Sequence, residues 1–376
     1  MSETPTPVEE VAEAAVKVAK SSILPKIIVA ICLLLALVIG ATALTARYGV
    51  LLPQGRLLIE ARASGLKIGR LGRLKIEGLG GDVWRDFTVR RLTISDEKGI
   101  WLEAKNIELT WSYAELFRRK FRADDIKAEQ VTILRRPTLE PKSESAGLPI
   151  SIDIDRAATR LELTPEFSVA RGVYDVVASV DVQRRNGGQS GKVAVASVLH
   201  PGDHLNAEFD FGGGRPLLVS ADAEEAKGGA LAGSLGLPTD RPFSLQVQAK
   251  GEGPQGRFTA LATSGAIKPV EASGAWNKQG GSAQGRVLLN ASTLTKELGE
   301  RLGQEAQFTI SGREAGASLY DLDAQVTSAN LAVTAKGKAN LGERRTGPAG
   351  VAMTAAAKEL SKVTGGPPMG LGRVEG

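Results

Sequence analysis

The sequence predicts a mainly β protein, in which an N-terminal transmembrane helix is followed by many strands and a few short helices. An apolar run without charged residues, 27–44, lies near the amino terminus. The sequence as a whole is rich in glycine, with 44 of these residues, and poor in aromatic residues, which make up 5% of it. Turn-forming residues recur at short intervals, and this punctuation favours many short strands over helices.

The apolar run is predicted to cross a membrane as a helix at residues 27–46. At 1.5 Å per residue it reaches roughly 27 Å, close to the ~30 Å hydrocarbon thickness of a bilayer. Lysines at 17, 20 and 26 precede it, so residues 1–26 are predicted to be a cytoplasmic tail. A cleaved signal peptide is the alternative, because Ala41-Thr42-Ala43 has small-x-small spacing, but the long acidic leader favours a retained span. The apolar residues of the span include Ile27, Leu33, Leu34, Leu35, Leu37 and Leu44.

Residues 50–136 are predicted to form a first β-repeat block. One pattern occurs there three times, at 87–94, 102–109 and 126–133: two short alternating segments separated by a pair of polar residues. Alternation with period two is typical of a strand with one apolar face, and the doubled polar pair shifts its phase by one. A bulge or tight turn at the pair would return the apolar residues to the same face.

The apolar residues of the three copies are the candidate lining of an apolar groove. A sheet with one apolar face must fold on itself, close, or receive an apolar ligand. On the pattern alone a self-filled sandwich or barrel is favoured over an open groove. The alternative groove, with roughly 25 strands at ~4.8 Å, would run on the order of 120 Å. The candidate lining residues are Phe87, Val89, Leu92, Ile94, Leu102, Ile107, Leu109, Ile126, Val131 and Ile133.

Short helices are predicted at two places between strands. Ser112 and Glu115 have the spacing of a capping box, which predicts a helix start followed by a basic run. Leu294, Leu298 and Leu302 share one side of a second predicted helix, residues 293–302, with Ser292 as its cap.

Beyond the first block, residues 137–150 are predicted to be a linker, because Pro, Ser, Glu and Lys replace the alternating pattern. Residues 151–376 are predicted to continue the β-repeats and to be truncated. Alternation resumes there, as in the segments 174–182, 205–211, 243–249, 322–326 and 331–335.

Motifs for catalysis, metal binding and cofactors are weak. His200 and His204 are the two histidines, but Pro201 and Gly202 between them prevent the helix that would align both rings. The single cysteine, Cys32, lies in the apolar run, so no disulfide is expected. We therefore expect a protein that is not an enzyme and that has no cofactor and no metal. The basic run at 118–122 suits either anionic headgroups or a helix C-terminus. Despite the net charge of +5, a nucleic-acid partner is not expected outside the cytoplasm.

Several of these motifs together resemble a known family. Gly72-Arg-Leu-Lys-Ile-Glu-Gly78, the segment 81–92, Ile107-Glu-Leu-Thr-Trp-Ser112 and Val131-Thr-Ile133 are similar to the amino-terminal region of the TamB family. These are inner-membrane translocation and assembly module proteins of the AsmA-like superfamily. The segment 148–155 resembles the restart of the repeats in alphaproteobacterial relatives. The resemblance extends over roughly residues 25–345 and becomes generic after residue 155.

The resemblance implies a single-pass protein of the bacterial inner membrane. Its periplasmic body would be an elongated, curled β-sheet that forms an open apolar groove and has a few short helices. The resemblance further implies phospholipid and the outer-membrane barrel TamA as partners, and roles in phospholipid transport and outer-membrane protein assembly. This implication favours the groove over the sandwich. Members of the family are longer and end in a C-terminal module that nothing after Gly312 resembles. We therefore expect a portion of a longer product, with the TamA contact beyond these residues.

Overall fold

In a computed structural model, the described residues are 53–68, 70–139, 150–184, 187–316, 319–340, 345–364 and 371–375. The chain divides into two compact units, residues 1–59 and 60–376. The first unit is described only from residue 53, where a helix begins. Its predicted membrane span, 27–46, and predicted tail, 1–26, lie outside the described residues. None of the helices in the described ranges has the length and apolarity needed to cross a membrane.

The described part of the second unit is dominated by 18 strands in one curled sheet that does not close on itself. This confirms the predicted mainly β class. The strands are β1 (Arg73–Asp82), β2 (Asp86–Asp96), β3 (Gly99–Trp111), β4 (Lys120–Ile133), β5 (Ser151–Leu163), β6 (Gly172–Val182), β7 (Gln189–Ser197), β8 (His204–Phe211), β9 (Leu217–Glu225), β10 (Phe243–Glu252), β11 (Gln255–Ser264), β12 (Ile267–Asn277), β13 (Gly280–Leu288), β14 (Glu305–Gly316), β15 (Leu319–Ser328), β16 (Leu331–Asn340), β17 (Arg345–Ala357) and β18 (Gly372–Glu375).

The helices of the described residues are short. They are α1 (Pro53–Ala63), a 3-10 helix (Tyr113–Arg118), α2 (Pro165–Ser168), α3 (Ala230–Ser234), α4 (Lys296–Leu302) and α5 (Leu360–Thr364).

Both predicted helices between strands exist, with different starts. The first is the 3-10 helix, and the Ser112 side chain does not cap it. The second is α4, which begins at Lys296 rather than residue 293. Ser292 instead accepts a hydrogen bond from Leu294 N and donates one to Leu235 O, so its hydroxyl ties the loop before α4 to the end of α3.

Each strand pairs with the next one along the chain, so sequence order is also spatial order. All pairs are antiparallel except β4 and β5, which run parallel. A parallel pair needs a connection that returns to the starting end of the first strand. In the chain, residues 134–150 separate β4 from β5. At ~4.8 Å per strand step, the described sheet measures ~80 Å across its strands. The expectation of roughly 25 strands over 120 Å is wrong for these residues, because many strands exceed ten residues and fewer of them fit in the chain.

Glu60 in α1 and Ser64, just after the helix, protect the free edge of β1. Glu60 Oε1 accepts a hydrogen bond from Leu79 N at 2.5 Å, and Ser64 Oγ accepts one from Ile76 N at 3.2 Å. These two contacts satisfy backbone N–H groups that would otherwise be available to another strand. The sequence pattern did not predict α1, which lies within the predicted β block.

The phase shift in the three-fold repeat occurs where the doubled polar pairs predict it. Strand pairing leaves out one residue in each of β1 to β4, namely Gly78, Arg90, Asn106 and Glu129. Asn106 has a positive φ of 47°, and its side chain donates a hydrogen bond to Glu129. The omitted residues thus form a line across four strands, and regular pairing resumes on both sides of it.

Candidate functional site: the apolar face of the sheet

The predicted lining residues all lie on one face of the sheet, which we call the apolar face. Strand β5 establishes this, because its residues 157, 159 and 161 alternate without interruption and so share a face. Their partners in β4 are Ile126, Ala128 and Val131. Partners in a ladder share a face, so these three do as well, although Val131 follows Ala128 by three positions. Pairing carries the same face through β3 to β2 for the rest of the predicted set.

A central row of this face crosses the sheet from β2 to β17 without a polar side chain. Each of its members is the pairing partner of the next, so the row is continuous. In chain order the row consists of Phe87, Leu109, Ile126, Ala157, Ala178, Val193, Ala207, Ala221, Val247, Ala260, Ala272, Gly285, Phe308, Val326, Val333 and Ala355.

Two further rows flank the central row. One of them lies on the side of the β8–β9 and β10–β11 turns, and it also has no polar side chain from β3 to β17. It consists of Trp111, Ala123, Ile154, Val180, Gly191, Phe209, Val219, Ala249, Phe258, Gly274, Ala283, Ile310, Ala324, Ala335 and Met353. The row on the side of α2, α3 and α4 has one polar member, Thr159, between β1 and β14.

The opposite face of the sheet is polar and carries cross-strand ion pairs. Examples are Lys192 with Glu208 at 2.9 Å and Arg286 with Glu271 at 3.0 Å. Such exposed pairs contribute little to stability individually. Their arrangement nevertheless means that charge is concentrated on one face while the other has none in its central row.

The apolar face is half-buried along most of its length rather than enclosed. Every member of the central row is half-buried except Val326, which is 42% exposed. In the flanking row, Ile310 is 45% and Met353 is 53% exposed. Side chains enclosed between two packed layers would be buried almost completely. A tightly packed sandwich, which the pattern alone favoured, is therefore not the arrangement of these strands.

Compact packing is concentrated at one rim, where the short helices lie. Glu225 is 3% exposed and accepts hydrogen bonds from Leu231 N and Ala232 N, both at 2.7 Å. Tyr174 is 1% exposed and donates its hydroxyl to the same carboxylate at 3.0 Å. Burial raises the pKa of Tyr174, and the negative charge of Glu225 raises it further. This network holds α3 on the apolar face, together with the apolar side chains of Phe243, Leu237 and Ala262.

The basic run on the opposite rim is largely paired with carboxylates. Lys120 contacts Asp153 at 2.7 Å, and Arg122 contacts both Asp153, at 3.2 Å, and Asp155, at 3.0 Å. Phe117 beside them is 86% exposed. These pairs neutralise two of the cations that were expected to meet either headgroups or the helix C-terminus, and they weaken the headgroup alternative.

The two histidines are not arranged as a metal site. His204 bonds Gly202 O at 2.9 Å and Asp222 Oδ1 at 3.0 Å through its two ring nitrogens, and these contacts raise its pKa. His200 lies 3.6 Å from Asp203. Across the part of the chain that the structure describes, no cluster of three or more potential metal-ligating side chains occurs.

Sequence reasoning missed the way in which aromatic rings on the apolar face lie over glycines. A Cβ atom on Gly191 would be 2.8 Å from Cζ of Phe209, and one on Gly285 would be 2.7 Å from Cε1 of Phe308. Such short distances mean that the rings occupy the space a side chain would need. Pairing register brings these residues together, and the glycine-rich composition was the available signal.

No protein-family model matches this sequence, and neither the curated proteins nor the solved structures include a significant match.

Proposed function

We propose that the protein binds phospholipid acyl chains along its apolar face and acts as a membrane-anchored lipid conduit in the bacterial envelope. The observation that carries this proposal is the central row, which runs from β2 to β17 without a polar side chain. A row of this kind runs across the strands, so a linear ligand can lie along ~70 Å of it at ~4.8 Å per strand.

Hydrocarbon is the ligand chemistry that this face suits. Half-buried Val, Ala, Leu and Phe side chains have apolar surface still available for contact, and each methylene group that they cover contributes ~0.8 kcal/mol. Many of the row's members are alanines, which leave room above the sheet. A polar or charged ligand would find no hydrogen-bonding side chain in the central row.

The setting proposed for this activity is the inner membrane of a bacterium, with residues 27–46 as the anchor and the sheet in the periplasm. The basis is the apolar run in the sequence and the resemblance to the TamB family. The same resemblance supports a contribution to outer-membrane protein assembly together with the barrel TamA. The proposal assigns no catalytic step to the protein.

A scaffold that binds polypeptide strands at a sheet edge is the second candidate. At the β1 edge it lacks support, because Glu60 and Ser64 already bond the outward N–H groups of Leu79 and Ile76. Strand β18 pairs with β17, and the described residues give it no second partner. A scaffold would therefore have to bind polypeptide strands at β18 rather than at β1.

Photo-crosslinking from adjacent residues on the two faces tests the proposal. A crosslinking amino acid replaces Leu109, Val193 or Ala324 on the apolar face, and in matched controls it replaces the neighbouring Glu108, Lys192 or Asp323. We expect phospholipid adducts from the first set and none from the controls when the full chain is irradiated in cells. Equal adducts from both faces, or polypeptide adducts alone, would contradict the proposal.

A further inference from the structure

Between β7 and β14, aromatic side chains of the apolar face lie sideways over glycines of neighbouring strands. Phe209 of β8 lies over Gly191 of β7, and Phe308 of β14 lies over Gly285 of β13. Phe258 of β11 likewise occupies the side-chain position of its partner Gly274 in β12.

Trp276 extends this arrangement over two strands. Its indole occupies the side-chain position of Gly256 in β11, its direct pairing partner. The same ring edge, Cζ2, would lie 3.0 Å from a Cβ atom at Gly251 in β10. The indole therefore lies along the sheet, across its neighbours, instead of projecting away from it.

This geometry affects the space above the sheet. A ring that stands upright on a strand fills the volume over the apolar face, whereas a ring that lies flat adds apolar area and little height. Glycine is the residue that permits the flat position, because any Cβ atom would meet the ring. Covering of glycine by a cross-strand aromatic ring also stabilises a sheet, so the pairs have a structural role as well.

The first block, by contrast, has large side chains in the central row. Its central row contains the large side chains Phe87, Leu109 and Ile126, and no member of that row is a glycine before Gly285. The later strands have alanine at most central positions and carry their aromatic residues mainly in flanking positions, over glycine. In the strands after the first block, the side chains of the apolar face therefore rise little above the sheet, although aromatic surface is still exposed.

We infer that the aromatic–glycine pairs between β7 and β14 determine the height of the acyl-chain path, so that Gly191, Gly274, Gly285 and their rings are specificity-determining residues. This inference rests on the proposed function. The ligand is the linear acyl chain of a phospholipid. It lies along the apolar face between β7 and β14, where the rings are flat. A bulkier side chain at one of these glycines raises its ring and closes the path at that strand.

Gly274→Leu is the test variant, because leucine cannot share the position with the Phe258 ring. Ala275→Leu is the matched control, since it adds a side chain of comparable size at the next position, on the polar face. Phe258→Ala/Gly274→Leu is the rescue variant, in which the added leucine replaces the missing ring. In each full-length variant a photo-crosslinker at Ala283, the direct partner of Gly274 in β13, reports local lipid, and one at Leu109 reports lipid in the first block.

We expect Gly274→Leu to lower the lipid adduct at Ala283 roughly fiftyfold, because closing the path over one strand step of ~4.8 Å removes contact with about three methylene groups. The adduct at Leu109 stays unchanged, Ala275→Leu alters neither, and the rescue variant restores the adduct at Ala283. Hydrogen exchange of β11 to β13 serves as the folding check, and a merely structural role for the pair would raise exchange in the rescue variant without restoring the adduct. An undiminished adduct at Ala283 in Gly274→Leu overturns the inference. Absence of lipid at both probes in the unmodified chain would instead refute the proposed function.

Discussion

A charge introduced into the central row distinguishes an apolar face that is open to ligand from one that is enclosed by protein. Val247 of β10 is half-buried between Ala221 of β9 and Ala260 of β11. The variant Val247→Asp places a carboxylate there, and Gln248→Asp places the same group on the polar face as its control. Both substitutions place an aspartate, which is disfavoured in strands, at adjacent positions of β10.

The magnitude follows from the spacing of the strands. An acyl chain along the row passes Val247 within one strand step, and over those ~4.8 Å about three methylene groups lose their apolar contact. At ~0.8 kcal/mol each, the loss is about 2.4 kcal/mol, or roughly fiftyfold in local affinity. Stability should change by no more than about 1 kcal/mol, because water already reaches this side chain. In an enclosed core the same carboxylate would cost several kcal/mol.

Two measurements on the full chain read out this prediction. A photo-crosslinker at Ala272, two strands away in the central row, reports local lipid, and hydrogen exchange of β9 to β11 reports stability. We expect Val247→Asp to reduce the lipid adduct while exchange stays close to that of Gln248→Asp. Extensive unfolding of these strands in Val247→Asp would refute the reasoning, since it would mean that the row is enclosed by protein.

Two further predictions concern the contacts that hold the rim. Glu225→Gln removes one of the carboxylate oxygens that accept from the N–H groups of α3, and it should lower the local stability of α3 by about 2–3 kcal/mol. Hydrogen exchange over residues 230–237 should then become roughly fiftyfold faster, and it should be unaffected in the control Glu224→Gln. Asp96 accepts two hydrogen bonds from Arg135, which with the N–H groups of Thr138 and Lys98 hold its pKa well below the usual range. Its stabilising effect is present above its unfolded pKa of about 3.9 and is lost as pH falls further. The stability difference between the unmodified chain and Asp96→Asn should therefore be constant from pH 8 to 6 and shrink progressively as the pH falls below 4. A difference as large at pH 2 as at pH 7 would contradict this.

The alternation of strands β2 to β4 could be predicted from the sequence, because its signal is local. Alternation with a doubled polar pair requires no knowledge of neighbouring strands, and the pairing omits Arg90 and Glu129 within or beside those pairs. The shared face of residues from Phe87 to Ile133 follows from the same local pattern. For the later strands, the alternation of single segments such as 205–211 was also visible in the sequence.

Other features depend on contacts between distant segments, and the sequence pattern did not reveal them. Helix α1 carries no strong apolar stripe. Its contact with β1 is the hydrogen bond from Leu79 N to Glu60, and Ser64, the residue after the helix, accepts a second one from Ile76 N. The parallel pairing of β4 with β5 is one such feature, because the alternating pattern of a strand does not specify the direction of its neighbour. The position of the Phe258 ring over Gly274 can be recognised only when the pairing register of β11 and β12 is known, because the two residues are not close in sequence.

Native mass spectrometry of the full chain, released from membranes in mild detergent, tests the central claim most directly. An acyl chain spans half of the ~30 Å bilayer core, so the ~80 Å sheet has room for about five chains end to end. We expect a series of masses with one or more bound phospholipids, and fewer of them in Val247→Asp. A single mass equal to the bare polypeptide in both proteins would contradict the account.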